Sequence, residues 1–341
     1  MATAAPSPTL SVLEICAGAG GQALGLEQAG FKHELAIEID ATACDTLRAN
    51  RPNWKINNSD ICEFDARPYD GIDLVAGGVP CPPFSVAGKQ LGAADERDLF
   101  PQALRIISQA RPRAVMLENV RGLSQPRFAN YRSQIQGKLS DLGYRSYWQL
   151  LLASEYGVPQ LRPRFVLVAL RPDDMESFRW PAPVKSRPTV GETMLKAVSA
   201  NGWTGAERWA FERANAIAPT IVGGSKKHGA PDLGPTRARQ SWLKLGVDGV
   251  GIANDGDIPC CCTPADAIFK LTVGMGALIQ GFPESWQIVG RKTAAWRCVG
   301  NAFPPPVARA VGSSIHAALL NREVKGQVGN VLEPAASYQR V

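Results

Sequence analysis

From Leu10 to about Arg171, short apolar runs alternate with longer amphipathic segments. The apolar runs Ser11–Cys16, His33–Ile39, Leu74–Gly77, Ala114–Leu117, Tyr144–Leu151 and Arg164–Ala169 have strand length. Helical spacing fills Gln22–Ala29, Ala41–Asn50, Leu99–Gln109 and Tyr131–Leu142. Strands separated by helices predict βαβ units and a mainly parallel sheet. The expected fold class is therefore α/β, doubly wound. The Gly143-Tyr144 turn and the two late strands predict an antiparallel edge. Character changes near Phe178-Arg179-Trp180-Pro181-Ala182-Pro183, and the prolines up to Pro188 read as a linker. From there to about Thr263 the chain is rich in Gly, Pro, Trp and basic residues with weak periodicity, which predicts a smaller, irregular second domain. The last periodic element is a helix from Val307 to Leu320.

Composition narrows the class. Of 341 residues, 45% are hydrophobic and 20% charged, a globular balance. No apolar stretch reaches the roughly 18–20 residues that span a bilayer, and residues 1–9 lack the pattern of a signal peptide. A cytoplasmic protein with no membrane partner is expected. Eight cysteines, including the run Cys260-Cys261-Cys262, show no metal-ligand spacing, and there are only three histidines. No metal is expected, and the triplet reads as an accident of a loop or core. Formal net charge is +6. Between Pro219 and Leu245, Lys226, Lys227, Arg237, Arg239 and Lys244 face one acid, Asp232. Such a basic stretch suits a polyanion, though a solvated charge run reads the same way.

Candidate chemistry sits at predicted strand ends. The first strand runs into Cys16-Ala17-Gly18-Ala19-Gly20-Gly21-Gln22-Ala23 and then a helix, the arrangement of a nucleotide-cofactor loop. Gly18-x-Gly20-x-x-Ala23 also satisfies the dinucleotide fingerprint, so an NAD-binding dehydrogenase stays open here. Glu38 ends the next strand, where a carboxylate can accept two ribose hydroxyls. Asp60-Ile61 follows a third short segment and suits an adenine amino group. Cys81 follows the apolar run Ile72 to Ala76 and lies between Pro80 and Pro82, which restrict its backbone. A thiol aimed so rigidly suggests a nucleophile. Glu118 follows the apolar run Ala114–Leu117. Arg162 and Arg164 begin a strand and share a face by the period of two.

Taken together, these blocks resemble the DNA (cytosine-5) methyltransferase family in its bacterial, restriction-modification form. Gly18-x-Gly20-Gly21 is similar to the family's S-adenosylmethionine loop, and Pro80-Cys81-x-x-Phe84-Ser85 to its nucleophile loop. Asp95-Glu96-Arg97-Asp98-Leu99-Phe100 resembles the segment that follows. Glu118-Asn119-Val120 matches the acid motif and Gln160-x-Arg162-x-Arg164 the basic motif. Gln280-Gly281-Phe282-Pro283 and Gly300-Asn301-Ala302-Phe303-Pro304-Pro305 resemble the last two motifs. Cys16 stands where the family usually has Phe, and Pro82 where it often has Gln. Phe269, Gly274 and Met275 occupy places often held by Arg, Arg and Glu.

The resemblance implies a Rossmann-like S-adenosylmethionine-dependent methyltransferase sheet. Residues 10–178 would form the catalytic domain and 179–280 the target recognition domain. Residues 281–325 would return to the first domain, with 1–9 a disordered lead-in and 326–341 a tail. It implies a cofactor site of Cys16, Ala17, Gly18, Gly20, Gly21, Glu38, Ile39, Asp60, Ile61, Pro80, Leu99 and Asn301. Catalysis falls to Cys81, Glu118, Arg162 and Arg164. In that scheme the Cys81 thiolate adds to carbon 6 of a flipped-out cytosine and Glu118 serves N3. Arg164 holds O2, and Arg162 braces the catalytic loop. Ser85, Thr220, Lys226, Lys227, Arg237 and Arg239 would touch double-stranded DNA. A monomer is implied, with a cognate restriction endonuclease acting on the same site without a stable complex. A tRNA cytosine-5 methyltransferase on the same scaffold, and a catalytically dead DNA-binding regulator, are the remaining readings.

Overall fold

The computed structural model describes residues 9–80, 98–223 and 231–320. Its first half contains β1 (Leu10–Ile15), α1 (Gly21–Gln28), β2 (Phe31–Ile37), α2 (Ala41–Asn50), β3 (Ile56–Asn57) and β4 (Leu74–Gly78). There follow α3 (Phe100–Ala110), β5 (Ala114–Val120), α4 (Ala129–Asp141), β6 (Arg145–Leu152), β7 (Gln160–Leu161), β8 (Pro163–Leu170) and α5 (Pro172–Ser177). Seven strands form one sheet in the order β3-β2-β1-β4-β5-β8-β6. β1 to β5 run parallel, whereas β8 is antiparallel to both its neighbours, as the sequence pattern predicts. β1 is central and buried on both faces, so it reads as a near-continuous apolar run. Its one interior acid, Glu14, faces His33 at 2.9 Å, and burial pushes its pKa up against that partner.

Each face of the sheet has its own apolar layer. One carries Val12, Leu74, Met116 and Val168 against α1 and the last helix, α11 (Pro305–Leu319). The other carries Leu13, Ile15, Val75 and Leu117 against α3 and α4. α1 and α11 approach closely because Gly25 has no Cβ, which would fall 2.5 Å from both Ala308 Cβ and the Pro305 carbonyl. The chain order reverses between β1 and β4, and in such sheets ligands bind beyond the carboxyl ends of the strands at that switch point. Register aligns those ends: Ile15 pairs with Gly77, and Gly78 with Glu118.

Residues after Phe178 are less irregular than their weak periodicity predicts. They form α6 (Val190–Ser199), the short α7 (Ala206–Arg208) leading into a π-helical turn, β9 (Ala218–Pro219) and α8 (Thr236–Lys244). α9 (Val273–Ile279) and α10 (Lys292–Asn301) complete the set before α11. A reciprocal capping box, Thr189 with Glu192, starts α6. Buried Trp203, Trp209, Trp242 and Trp296 fill this part, and the same core reaches Ala17, Ala23 and Leu24 beside the glycine loop and Leu47 of α2. β5 runs three residues beyond the expected Leu117. Glu118 therefore lies inside a strand, kept extended by ladders to β4 and β8, and does not follow one.

Candidate active site

β1 ends at Ile15 and the chain turns at once. Cys16 takes φ +51°, rare for a non-glycine residue, and Gly18 (+56°) and Gly20 (+89°) complete the turn. A Cβ at Gly20 would fall 2.6 Å from the Trp286 ring, whose indole N–H donates to the Ala19 carbonyl at 3.1 Å. No side chain among the described residues caps α1, so the loop delivers an open helix N-terminus. Ala17 is tied to β2 through its N–H and the Ile37 carbonyl, 3.0 Å apart.

Glu38 closes this loop from the residue just after β2, which ends at Ile37, one residue short of the expected strand end. Its carboxylate accepts from the Gly18 and Asp40 amides, each at 2.8 Å. Burial raises its pKa, and those two amide donors work against the rise. Ile39, 66% exposed beside it, offers an apolar surface at the same edge. Asp60 accepts from the Cys62 amide, and Ile61 is buried behind it. The Cys16 thiol is pushed far up, first by burial and then by the charges of Glu38 and Asp60. Its thiolate form is thus disfavoured.

A second group of residues meets this one at Gly78. A Cβ there would stand 3.3 Å from Glu118 Oε2 and 3.9 Å from the Cys16 carbonyl oxygen. Arg164 Nε lies 2.6 Å from Glu118 Oε1, a close ion pair whose N–H is not aligned as a straight hydrogen bond. Burial raises the Glu118 pKa, while Arg164 and then Arg162 oppose the rise. Both arginines are pressed downward by their own burial. The neighbouring Asn119 amide donates to the Val79 carbonyl at 2.8 Å, and the Leu99 N–H donates to Pro80 O at 3.2 Å. Pro80, just beyond the end of β4, and Leu99, just before α3, are therefore held together next to the Glu118-Asn119 pair. Cys81 and Ser85 lie outside the described residues, as do Lys226 and Lys227.

Arg162 falls between β7 and β8 and is almost wholly buried. Its guanidinium donates to the carbonyls of Ile221 (2.7 Å), Gly300 (2.7 Å) and Ala302 (3.0 Å). Gln160 and Gln280, both fully buried, complete a polar hub at 2.6 Å from each other. Gln160 also accepts from the Ile221 amide, and Gln280 donates to Val299 O. Asn301 ends α10, exposed, and its side chain packs on Gly223. The Thr220 hydroxyl donates to Leu161 O at 2.6 Å. Arg237 is exposed on α8 and Arg239 half-buried on the same helix. A Cβ at Gly234, just before α8, would touch Val222, next to the carbonyl that Arg162 holds.

A sequence profile of the C-5 cytosine-specific DNA methylases matches residues 10–317. The chain belongs to that family. It is 55% identical over 326 residues to the type II methyltransferase M.NaeI of Lentzea aerocolonigenes, covering 94% of this chain and 77% of that protein. It is 51% identical over 311 residues to M.NgoMIV of Neisseria gonorrhoeae, covering 90% and 97%. Among solved structures, Entamoeba histolytica EhMeth superposes with a TM-score of 0.65 at 12% identity, over 92% of this chain and 99% of that one. Spodoptera frugiperda DNMT2 gives 0.59 at 17% identity, over 90% and 99%. Both share the methyltransferase fold. Membership makes the chain a DNA cytosine-5 methyltransferase and sets aside the dehydrogenase reading of Gly18-x-Gly20-x-x-Ala23.

Several structural residues of this methyltransferase escape sequence reasoning. Trp286 seals the glycine loop from a position distant in sequence, with no local pattern to betray it. Asn119 sits within the acid motif, but only its bond to Val79 reveals that it fastens the chain after β4. Gln160 and Gln280 stand in quoted motifs, yet their pairing is purely tertiary.

Proposed function

We propose that this methyltransferase modifies carbon 5 of a flipped-out cytosine in a specific double-stranded DNA sequence, with Cys81 as covalent nucleophile. The observation that carries the reading is the junction at Gly78, where the Glu118 carboxyl and the start of the glycine loop at Cys16 both approach one residue. The residues fit S-adenosylmethionine. Its amino-acid part suits the α1 N-terminus at Gly18, Gly20 and Gly21, and its ribose suits Glu38. The exposed Ile39 and the carboxylate of Asp60 suit an adenine ring, with Ala17, Cys16, Ile61, Pro80, Leu99 and Asn301 around it. When bound, the cofactor supplies the methyl group.

The chain's own residues prepare the base. Carbon 5 of cytosine is a poor nucleophile, and addition of the Cys81 sulfur to carbon 6 pushes electron density onto it. Negative charge then builds at N3. Glu118, whose pKa is raised by burial, is the group to donate to N3 and to accept from the 4-amino group through its other oxygen. Arg164, already paired with Glu118, is at hand for O2. Loss of the carbon 5 proton and elimination of the Cys81 thiolate release 5-methylcytosine. Flipping the base costs a few kcal/mol, and we assign its support to residues 179–280 acting as target recognition domain. Thr220, Lys226, Lys227, Arg237 and Arg239 supply DNA contacts there, with Ser85 from the nucleophile loop. The two type II relatives support a protective role beside a restriction endonuclease.

Bisulfite sequencing of DNA from a host expressing the protein tests this reading. Protected cytosines at one fixed position of one short sequence are expected. Their absence from an expressing host contradicts it.

A further inference from the structure

The cysteine triplet lies in a turn whose hydrogen bonds fix the two outer thiols close together. Cys260, Cys261 and Cys262 form a tight turn closed by the Thr263 N–H donating to the Cys260 carbonyl at 2.9 Å. The turn is anchored at both ends of its first peptide. Cys260 bridges to Asn201, the Cys261 N–H donates to Asn201 O at 3.0 Å, and the Cys260 N–H donates to Thr263 Oγ1 at 2.9 Å. This geometry sends the two outer thiols to the same side, with Cys260 Sγ 2.8 Å from Cys262 Sγ. Cys261 is displaced toward Gly202, where its Cβ approaches.

We propose that Cys260 and Cys262 form a redox-active thiol pair, a modification site for low-molecular-weight disulfides that closes reversibly into an intra-turn disulfide. Adjacent cysteines bridge poorly, but residues two apart in a turn have Cα atoms within the about 4.4–6.8 Å that disulfides span. Cys262 and Cys261 are exposed and Cys260 is half-buried, so a small disulfide can reach the turn. Hydrogen bonding from the Cys262 thiol, then from the Thr263 hydroxyl, lowers the Cys260 pKa to about 7. A thiolate at neutral pH with a second thiol in contact is the arrangement that disulfide exchange requires.

The chemistry balances with oxidised glutathione as the disulfide. The Cys260 thiolate attacks one sulfur, the S–S bond breaks, and one glutathione leaves as thiolate and takes a proton. Cys262 then gives its proton to water and attacks the Cys260 sulfur, expelling the second glutathione. Two protein thiols are oxidised to one disulfide, and one glutathione disulfide is reduced to two thiols. Dithiothreitol reverses the sequence.

Other described cysteines serve as controls within the same chain. Cys44 is buried and its pKa is raised to about 11, also by burial. Cys62 is exposed, yet its pKa is raised. The test treats the full-length protein with oxidised glutathione at neutral pH, blocks remaining thiols with N-ethylmaleimide, and maps peptides by mass. The peptide carrying the triplet should keep one maleimide, on Cys261, and recover all three after dithiothreitol. Modification of Cys260 should outpace that of Cys62 by about tenfold or more. In Cys262→Ser the resolving thiol is gone, so a stable glutathione adduct should remain on Cys260. Three maleimides on the triplet after treatment, or equal modification of Cys62 and Cys260, would overturn the proposal. A methyltransferase that fails the bisulfite test can still pass this one, so the two claims stand apart.

Discussion

At the scale of single residues, Glu118 is the group whose environment is most informative. Burial raises its pKa, and Arg164 is the largest influence opposing that rise. Arg164→Leu removes the cation that favours the ionised form, so Glu118 should then titrate at still higher pH. Carbon-13 NMR of the glutamate carboxyls measures this directly, and movement to lower pH would refute the assigned causes. Glu118→Gln keeps the shape but cannot deliver a proton to N3, and kcat should fall by about 10²-fold or more. Binding of S-adenosylhomocysteine should persist in the same variant, since Glu118 faces the base in this scheme. Equilibrium binding and single-turnover rates separate the two effects. Cys16 is the opposite case. The family's usual Phe is absent there, and burial together with the charges of Glu38 and Asp60 disfavours its thiolate.

At the scale of elements, the sheet was legible because each strand carries an apolar run and each crossover an amphipathic helix. Ala41–Asn50 was expected as a helix and is one, since Asp40 caps it by accepting from Thr42 and Ala43. β5 is longer than its apolar run implies, because Glu118 and Asn119 look like strand-end polar residues. Their neighbours in β4 and β8 keep them extended, and that information is tertiary. The helices after Phe178 have weak periodicity in the sequence, although Thr189-x-x-Glu192 is a visible capping box. α8 is strongly polar, and its one buried anchor, Trp242, gives too little period to see. The glycine loop is the element most sensitive to change. Gly20→Ala must adopt φ near +89° and meet the Trp286 ring at 2.6 Å. We expect a loss of about 2–4 kcal/mol of stability, read by urea unfolding, together with weaker S-adenosylhomocysteine binding.

At the scale of the whole molecule, the hub of Gln160, Arg162 and Gln280 ties the catalytic strands to the last motifs. Arg162 alone holds three backbone carbonyls from two distant segments. Arg162→Leu should cost about 3 kcal/mol or more, because buried acceptors lose their donors. Chemical denaturation checks it, and a loss below about 1 kcal/mol would mean the hub is incidental. The same hub holds Ile221, between β9 and Val222. Charge acts at this scale too. Neutralising Lys226, Lys227, Arg237 and Arg239 together should weaken DNA binding and flatten its dependence on salt. An unchanged salt slope would return these residues to ordinary solvated surface. Which bases are read was not legible in the sequence, since groove contacts depend on side chains of a region with little periodicity.

The central claim is that Cys81 attacks carbon 6 within this site, and mechanism-based trapping tests it most directly. DNA carrying 5-fluorocytosine at the target position is incubated with the protein and S-adenosylmethionine. Fluorine cannot leave carbon 5 as the proton does, so the adduct has no exit. The account predicts a complex that survives denaturation, with the DNA mapped to Cys81 and none formed by Cys81→Ser. Attachment at another cysteine, or an equal yield from Cys81→Ser, would contradict it.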